Sequence, residues 1–413
     1  MANEEVIEFI RYHADDDTYQ LALHKKLYPQ LSDEDMAFAL QQIESRRKAK
    51  NKLPSFYNNP DILYPPRLAM EQCSSEITAS YKASLLAEIC SPALTDNKSS
   101  PPATLADLTG GFGIDTLHFS RQCQTTYYIE SNTVLYEIAS HNFNILNANI
   151  TTQNTQAEDF LKTTKHLDWI YIDPSRRNNA GRKVFRLQDC EPNLLELWDL
   201  IQEKSSFQMV KLSPMVDIKL IINSPLLPQE IHIIALNNEC KEVLCVCKSS
   251  HKRKTDNCNT VISSVNIRNS KTNYPANISK FIFLQSEEEQ AVATYTDRIN
   301  SYLYEPNVAI LKAGGYKLVS NKYGIDKLAP NSHLYTSDRL ISEFQGRIFK
   351  VHALNPDPKT IRGTQANIIS RNYPLSAEAI KNKYRIKDGG NNYLIATTAG
   401  NHKVIIKCSE VIS

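Results

Sequence analysis

The residues best suited to chemistry lie in Leu105-Ala-Asp-Leu-Thr-Gly-Gly-Phe-Gly-Ile-Asp115, where a short apolar run ends in an acid and opens into three glycines. A strand that turns so sharply into a helix needs glycine, because the backbone must bend tightly and admit a ligand where a Cβ would stand. The N–H groups of Thr109, Gly110, Gly111 and Gly113 would then face a ligand's charged end at a helix N-terminus. Asp107, at the strand end, could meet an ammonium, and Asp115, which closes the segment, is a further candidate to bind the same ligand. Tyr127-Tyr-Ile-Glu130 reads as a second strand ending in an acid, about 20 residues on, where a carboxylate reaches ribose hydroxyls. Gln156 stands where an adenine amino group finds an acceptor, with Glu158 and Asp159 as alternatives.

A third strand-like run, Trp169 to Ile172, leads into Asp173-Pro-Ser-Arg-Arg177. At such a corner the Asp173 side chain and a backbone carbonyl beside Pro174 can accept hydrogen bonds from a target amine and aim its lone pair. Arg176 occupies the place where nitrogen-directed methyltransferases keep an aromatic ring. An arginine there could clamp a phosphate or stack on a base, and Arg177 opens a basic loop that runs to Arg186. Lys211-Leu-Ser-Pro214 follows a further strand, so Lys211 and Ser213 could touch substrate. Together these segments predict methyl transfer from S-adenosyl-L-methionine. Carbon-5 methylation of pyrimidines needs a nucleophilic cysteine, and neither Asp173–Arg176 nor Lys211–Pro214 holds one.

The elements that must position these groups can be read from periodicity. Helical spacing covers residues 3 to about 50, with Ser32-Asp-Glu-Asp as a helix start. A proline-punctuated connector to Tyr64-Pro-Pro66 follows, then a helix from Leu68 to Ile89 with an unusually polar stretch around Ser74 to Lys82. Strands are expected at 105–108, 126–129, 150–154, 169–172, 208–212, 231–236 and 242–248, with helices at 115–121, 134–146 and 194–204 between them. Strands separated by single helices imply a parallel sheet covered on both faces, and the short turn before the seventh strand makes that one antiparallel. This is an α/β fold, a Rossmann-like seven-stranded sheet. Residues 260–268 read as one more strand; a smaller αβ piece then has a strand at 281–284, a helix-like Ile299–Leu303 and Val308–Leu311. Ala313-Gly-Gly315 would cap a helix. Further strands are expected at 347–353, 365–370, 393–398 and 403–407, with a helix at 376–384.

Composition bounds the rest. With 413 residues, 41% hydrophobic and 22% charged, the chain is globular and long enough for two or three cores. Its apolar runs are strand-sized, and Met1-Ala-Asn-Glu-Glu lacks a signal peptide's order, so no membrane and a cytoplasmic location are expected. Nine scattered cysteines argue against a disulfide framework. Cys240, Cys245 and Cys247 near His251 lack a second ligand pair, so no metal is expected and these thiols read as packing groups. A net charge of +2 leaves polyanion binding to local patches: Arg46–Lys50, Arg176–Arg186 and His251–Lys254. The first and last of these read as ordinary solvated surface.

Glu71–Glu76, Thr78 with Tyr81-Lys82, Asp107–Asp115, Asp173–Arg177 and Lys211–Pro214 resemble the bacterial class I S-adenosylmethionine-dependent methyltransferases that carry a ferredoxin-like and a THUMP-like domain. Ile368 to Ser376 through Gly390 is similar to that family's THUMP-like segment. The resemblance implies an N-terminal helical region at 1–66 and a class I methyltransferase domain at 67–273. It also implies a ferredoxin-like domain at 274–317 and a C-terminal α+β THUMP-like domain at 318–413. It implies a base nitrogen of structured RNA, tRNA or rRNA, as substrate, with Asp107, Gly110, Gly111, Gly113 and Glu130 on the cofactor and Asp173 on the acceptor. Gln156 replaces an acid common in the family. The alternatives are a methyltransferase for a protein or small molecule, and a catalytically silent RNA-binding protein.

Overall fold

The structure, a computed structural model, describes residues 4–89, 104–176, 187–249, 259–270 and 273–411. It separates into two compact units, Met1–Val216 with Cys245–Thr255, and Asp217–Leu244 with Asp256–Ser413.

The first unit opens with helices α1 (Glu4–Tyr12), α2 (Thr18–Leu23), α3 (Asp33–Lys52), α4 (Pro54–Tyr57), α5 (Arg67–Gln72) and α6 (Glu76–Ile89). Ser32 caps α3 by accepting from Asp35 N, with three acids in the first turn, as the sequence predicts. The helix expected from Leu68 to Ile89 is broken at residues 73–75. Ser75 Oγ accepts from Thr78 N (3.2 Å), so a serine that could have continued the helix instead starts a new one. Helices α1 to α3 bury their own core around Val6, Phe9, Leu21 and Ile43. Phe56, Tyr64 and Met70 instead share a core with Phe112, Tyr128 and Phe143, so residues 1–66 are not one separate body.

The sheet is built from β1 (Thr104–Asp107), β2 (Thr125–Ile129), β3 (Thr151–Gln153) and β4 (Leu167–Ile172); a two-residue ladder of β5 (Ser175–Arg176) and β6 (Cys190–Glu191) follows. Then come β7 (Ser205–Leu212), β8 (Glu230–Leu236), β9 (Glu239–Lys248), β10 (Val261–Ser270) and β11 (Asn273–Leu284). Between them lie α7 (Ile114–Phe119), α8 (Thr133–Ile145), α9 (Ala157–Thr163), α10 (Leu194–Lys204) and α11 (Ile218–Ile222). The seven strands that the sequence predicts stand in the order β3-β2-β1-β4-β7-β9-β8. β8 and β9 join through Asn237-Asn238, both with positive φ, the two-residue turn that makes an antiparallel hairpin. The sheet has nine strands, not seven: β10 runs parallel to β8, and β11 pairs antiparallel with β10 from Val261↔Leu284 onward. Phe281–Leu284, expected in the smaller αβ piece, therefore belongs to the first sheet. Ile262, Val265 and Ile267 of β10 and Phe281 and Phe283 of β11 are buried there.

In the second unit, α12 (Gln285–Gln290), α13 (Val308–Ala313), α14 (Tyr316–Tyr323), α15 (Pro358–Ile361) and α16 (Ala377–Tyr384) accompany a second sheet. Its strands are β12 (Tyr302–Pro306), β13 (Asp326–Lys327), β14 (Tyr335–Ser337), β15 (Gly346–Leu354), β16 (Asn367–Ser370), β17 (Asn392–Ala399) and β18 (His402–Glu410), ordered β13-β14-β12-β15-β18-β17-β16. The helix expected at Ile299–Leu303 is not there; a strand begins at Tyr302 and the helix follows it, at Val308–Ala313. Leu303 and Tyr304 lie buried in β12, while Asn307 caps α13 by accepting from Ile310 N (3.0 Å). The asparagine was the missed signal. Gly314 closes α13 in the left-handed conformation, as expected of the Ala313-Gly-Gly315 turn.

Candidate active site

Strand register decides which residues meet. Asp107 of β1 lies level with Tyr128 of β2 and Tyr171 of β4, and Ile172 of β4 lies level with Val210 of β7. The residues that follow, Thr109, Glu130 and Asp173, therefore leave the sheet together at its carboxyl edge, beside Lys211 near the end of β7.

Direct bonds join them. Gly111 N donates to Glu130 Oε2 (2.7 Å), and Asn132 N donates to Oε1 of the same carboxylate (2.7 Å). Asp173 N donates to Thr109 Oγ1 (2.7 Å), and Lys211 Nζ donates to Asp173 Oδ2 (2.5 Å). Gly113 stands at φ +81°, where a Cβ would also lie 2.5 Å from the Phe143 ring. At Gly110 a Cβ would meet the Tyr128 ring at 2.2 Å, and that tyrosine's hydroxyl donates to Gly111 O (2.7 Å). The loop is thus held from both sides.

Beneath the loop is a buried layer that the sequence reading did not assemble. Asp107 accepts from Thr116 Oγ1 (2.6 Å) and Thr109 N (3.0 Å). Burial pushes its carboxyl up to about 7, and those two hydrogen bonds only partly oppose the rise. Asp115 Oδ2 accepts from Ser74 Oγ (2.8 Å) and Tyr171 OH (2.7 Å), and Oδ1 forms an ion pair with Lys82 Nζ at 3.0 Å. Burial works to raise the Asp115 carboxyl, but Lys82 foremost, then Lys211 and the two hydroxyls, hold it below the usual range. Lys82 is fully buried and also donates to Ser74 Oγ (2.8 Å). Asp115, expected on the cofactor, thus gives both oxygens to its own protein. Lys82, Ser74, Tyr171 and Thr116 are site residues the reading left out. The available signal was one lysine among Ala79, Ala83, Leu85 and Leu86 in a helix that otherwise buries apolar groups.

The remaining expected residues stand apart. Gln156 is exposed at the N-cap of α9, Glu158 follows half-buried, and Asp159 pairs with Lys162 (2.8 Å). Pro174 is buried and Ser213 is half-buried, its Oγ accepting from Met215 N (3.3 Å). Arg176 lies in β5 opposite Cys190. Arg177 and the loop to 186 fall outside the described residues, as does His251–Lys254. Arg46–Lys50 is tied into local structure: Arg46 donates to Tyr57 O (3.1 Å) and Lys48 to Glu71 (2.9 Å). Cys245 and Cys247 are buried in β9, where desolvation pushes the Cys245 thiol up to about 12. Among the described residues, no group of three or more His, Cys, Asp or Glu could hold a metal, and no helix is long and apolar enough to cross a membrane.

Comparison with known proteins bears on the whole chain. Residues 302–344 match a ferredoxin-like domain family, and residues 346–410 match a THUMP domain-like family. No curated protein matches. Among solved structures, a "putative methyltransferase" of Porphyromonas gingivalis W83 is 30% identical across 99% of this chain and 98% of its own, with a TM-score of 0.83. A class I S-adenosylmethionine-dependent methyltransferase-like protein of Listeria monocytogenes, likewise described as putative, covers 64% of this chain and 93% of its own at 8% identity, TM-score 0.38. An rRNA methylase of Streptococcus thermophilus covers 41% and 94% at 11% identity, TM-score 0.29. These two partial likenesses add nothing to what the full-length one shows.

Proposed function

The chain belongs to the same family as the full-length Porphyromonas gingivalis relative, and from that premise we propose that it methylates a base nitrogen of structured RNA, tRNA or rRNA, using S-adenosyl-L-methionine. The observation that carries this reading is the pair of bonded groups at the carboxyl edge of the sheet, Gly111 with Glu130 and Thr109 with Asp173 and Lys211.

The residues fit the cofactor. Beside Gly111 a Cβ would meet nothing closer than Thr109 O at 3.8 Å, so the loop leaves open space at its tip. Each Glu130 oxygen accepts one backbone bond, leaving further lone pairs for a ribose diol. Asp107, Thr109, Gly110, Gly111 and Gly113 would hold the amino-acid end, with Asp115 and Lys82 fixing the helix behind it. When bound, the cofactor supplies an electrophilic methyl group. Asp173 then orients the acceptor amine through its free oxygen lone pairs, and Lys211 pins that carboxylate in place. Alignment does the chemical work. Arg176 and Arg177 would contact RNA, as would Ser213. The molecule's charge is segregated in the same sense. Residues 302–410 hold 16 Lys and Arg against 8 Asp and Glu, although the whole chain carries only +2.

Calorimetry with S-adenosylhomocysteine tests the cofactor half. Wild type should bind, and Glu130→Ala should weaken binding by about 10- to 100-fold, the worth of charged hydrogen bonds. Mass spectrometry of nucleosides from a deletion strain tests the substrate half. One missing methylated nucleoside names the target; an unchanged profile sinks the RNA reading.

A further inference from the structure

The second unit contains a cationic group that the proposed chemistry does not use. Lys327, in β13, is 2% exposed, and its backbone is pinned by bonds to Thr294 O (2.8 Å) and from Thr296 N (3.0 Å). Its ammonium donates to Pro330 O and lies 5.8 Å and 5.6 Å from the ring centres of Tyr295 and Tyr316. Among the described residues no carboxylate comes within ion-pair distance of it. Glu288, the acid whose charge it feels, spends its oxygens on Lys317 N and Leu318 N at the start of α14. A buried cation without a counter-ion is costly unless something pays it back.

The surroundings show what would. His333 stacks on Tyr316 with ring centres 3.8 Å apart and planes 26° from parallel. It sits at φ +50°, a strained conformation for histidine, and its Nδ1 is buried without a hydrogen-bond partner. Burial first, then Lys327 and Arg371, push this imidazole down to about 4, so it is neutral beside two cations. Arg371, about a third exposed, pairs with Glu305, a carboxylate that it shares with Arg347. Tyr295 is about half exposed at the same place. A buried ammonium with no ion pair and an imidazole nitrogen with no partner, next to a planar stack and a second cation, are complementary to a phosphate joined to an aromatic ring.

We infer that Lys327, Arg371, His333 and Tyr316 form a nucleotide subsite, with the phosphate against Lys327 and Arg371 and the base against the His333–Tyr316 stack. It deepens the RNA reading, which supplies the source of the nucleotide, but the subsite itself needs only the nucleotide.

The test uses the full chain with adenosine 5′-monophosphate, adenosine and inorganic phosphate as calorimetric probes, and a short fluorescein-labelled single-stranded RNA in anisotropy titrations. The monophosphate should bind more tightly than adenosine or phosphate. Lys327→Met and, as a second variant should that one fail to fold, His333→Ala should each weaken the monophosphate and the RNA by about tenfold. The variant used should melt cooperatively and keep wild-type S-adenosylhomocysteine binding. RNA bound equally by wild type and variants overturns the subsite while leaving the RNA reading intact. Monophosphate binding that the variants lose, without any RNA binding, supports the subsite and removes RNA as its source. A wild type that ignores the monophosphate overturns the inference.

Discussion

At the residue scale the most constrained positions are Gly113 and Asp107. Any side chain at Gly113 must adopt a left-handed backbone and displace the Phe143 ring. Gly113→Ala should therefore cost about 2–4 kcal/mol of stability, read from urea denaturation, because backbone strain and overpacking add. Asp107 carries a carboxyl raised to about 7, chiefly by burial. In the free protein it binds its proton more tightly than an unfolded chain would. Its contribution to stability thus falls as pH rises from about 4 through 7, the reverse of an ion-paired acid. Asp107→Asn, which has nothing to ionise, should melt increasingly above wild type as pH is raised across that window. The same variant should bind S-adenosylhomocysteine without the rise in affinity toward pH 8 that an ionised Asp107 gives a ligand ammonium. A melting difference independent of pH would contradict the assignment.

At the element scale, α6 and α7 are coupled by one buried ion pair, Lys82 with Asp115. Removing one partner strands the other charge, so Lys82→Met should destabilise by about 3–5 kcal/mol. Replacing both, as Lys82→Met with Asp115→Leu, should recover much of that loss in thermal unfolding. If the pair serves the site as well as the core, the double variant should still bind S-adenosylhomocysteine more weakly than wild type, since Ser74 and Tyr171 lose their common acceptor. Restored binding would make the pair purely structural. A smaller effect tests the second sheet: Asn307→Ala removes the cap of α13 and should cost about 1 kcal/mol.

For the molecule as a whole, charge is divided along the chain. Residues 302–410 carry an excess of 8 positive charges, so the remainder must be acidic in balance to reach +2. RNA affinity should accordingly fall steeply with salt. Converting the exposed Lys350, Lys383 and Lys387 to glutamate should lower the slope of log affinity against log salt by up to about 0.9 per lost phosphate contact. S-adenosylhomocysteine binding, carried by Glu130 and the glycine loop in the first unit, should not change. A salt slope untouched by those substitutions would move the RNA contact elsewhere.

The amino-acid sequence by itself determined the parallel sheet, the seven strands that build it and the loop from Asp107 to Asp115, because glycine spacing and apolar periodicity are local and survive without neighbours. It also marked Glu130 and Asp173, which end strands and so announce themselves by type and place. Only the tertiary structure decided that Asp115 turns inward to Lys82, that β11 extends the first sheet, and that Tyr302–Pro306 is strand while Val308–Ala313 is helix. Each of those depends on a partner distant in the chain or on a single capping side chain. A carboxylate looks the same in sequence whether it awaits a ligand or a buried lysine; the choice is made by what packing brings within 3 Å.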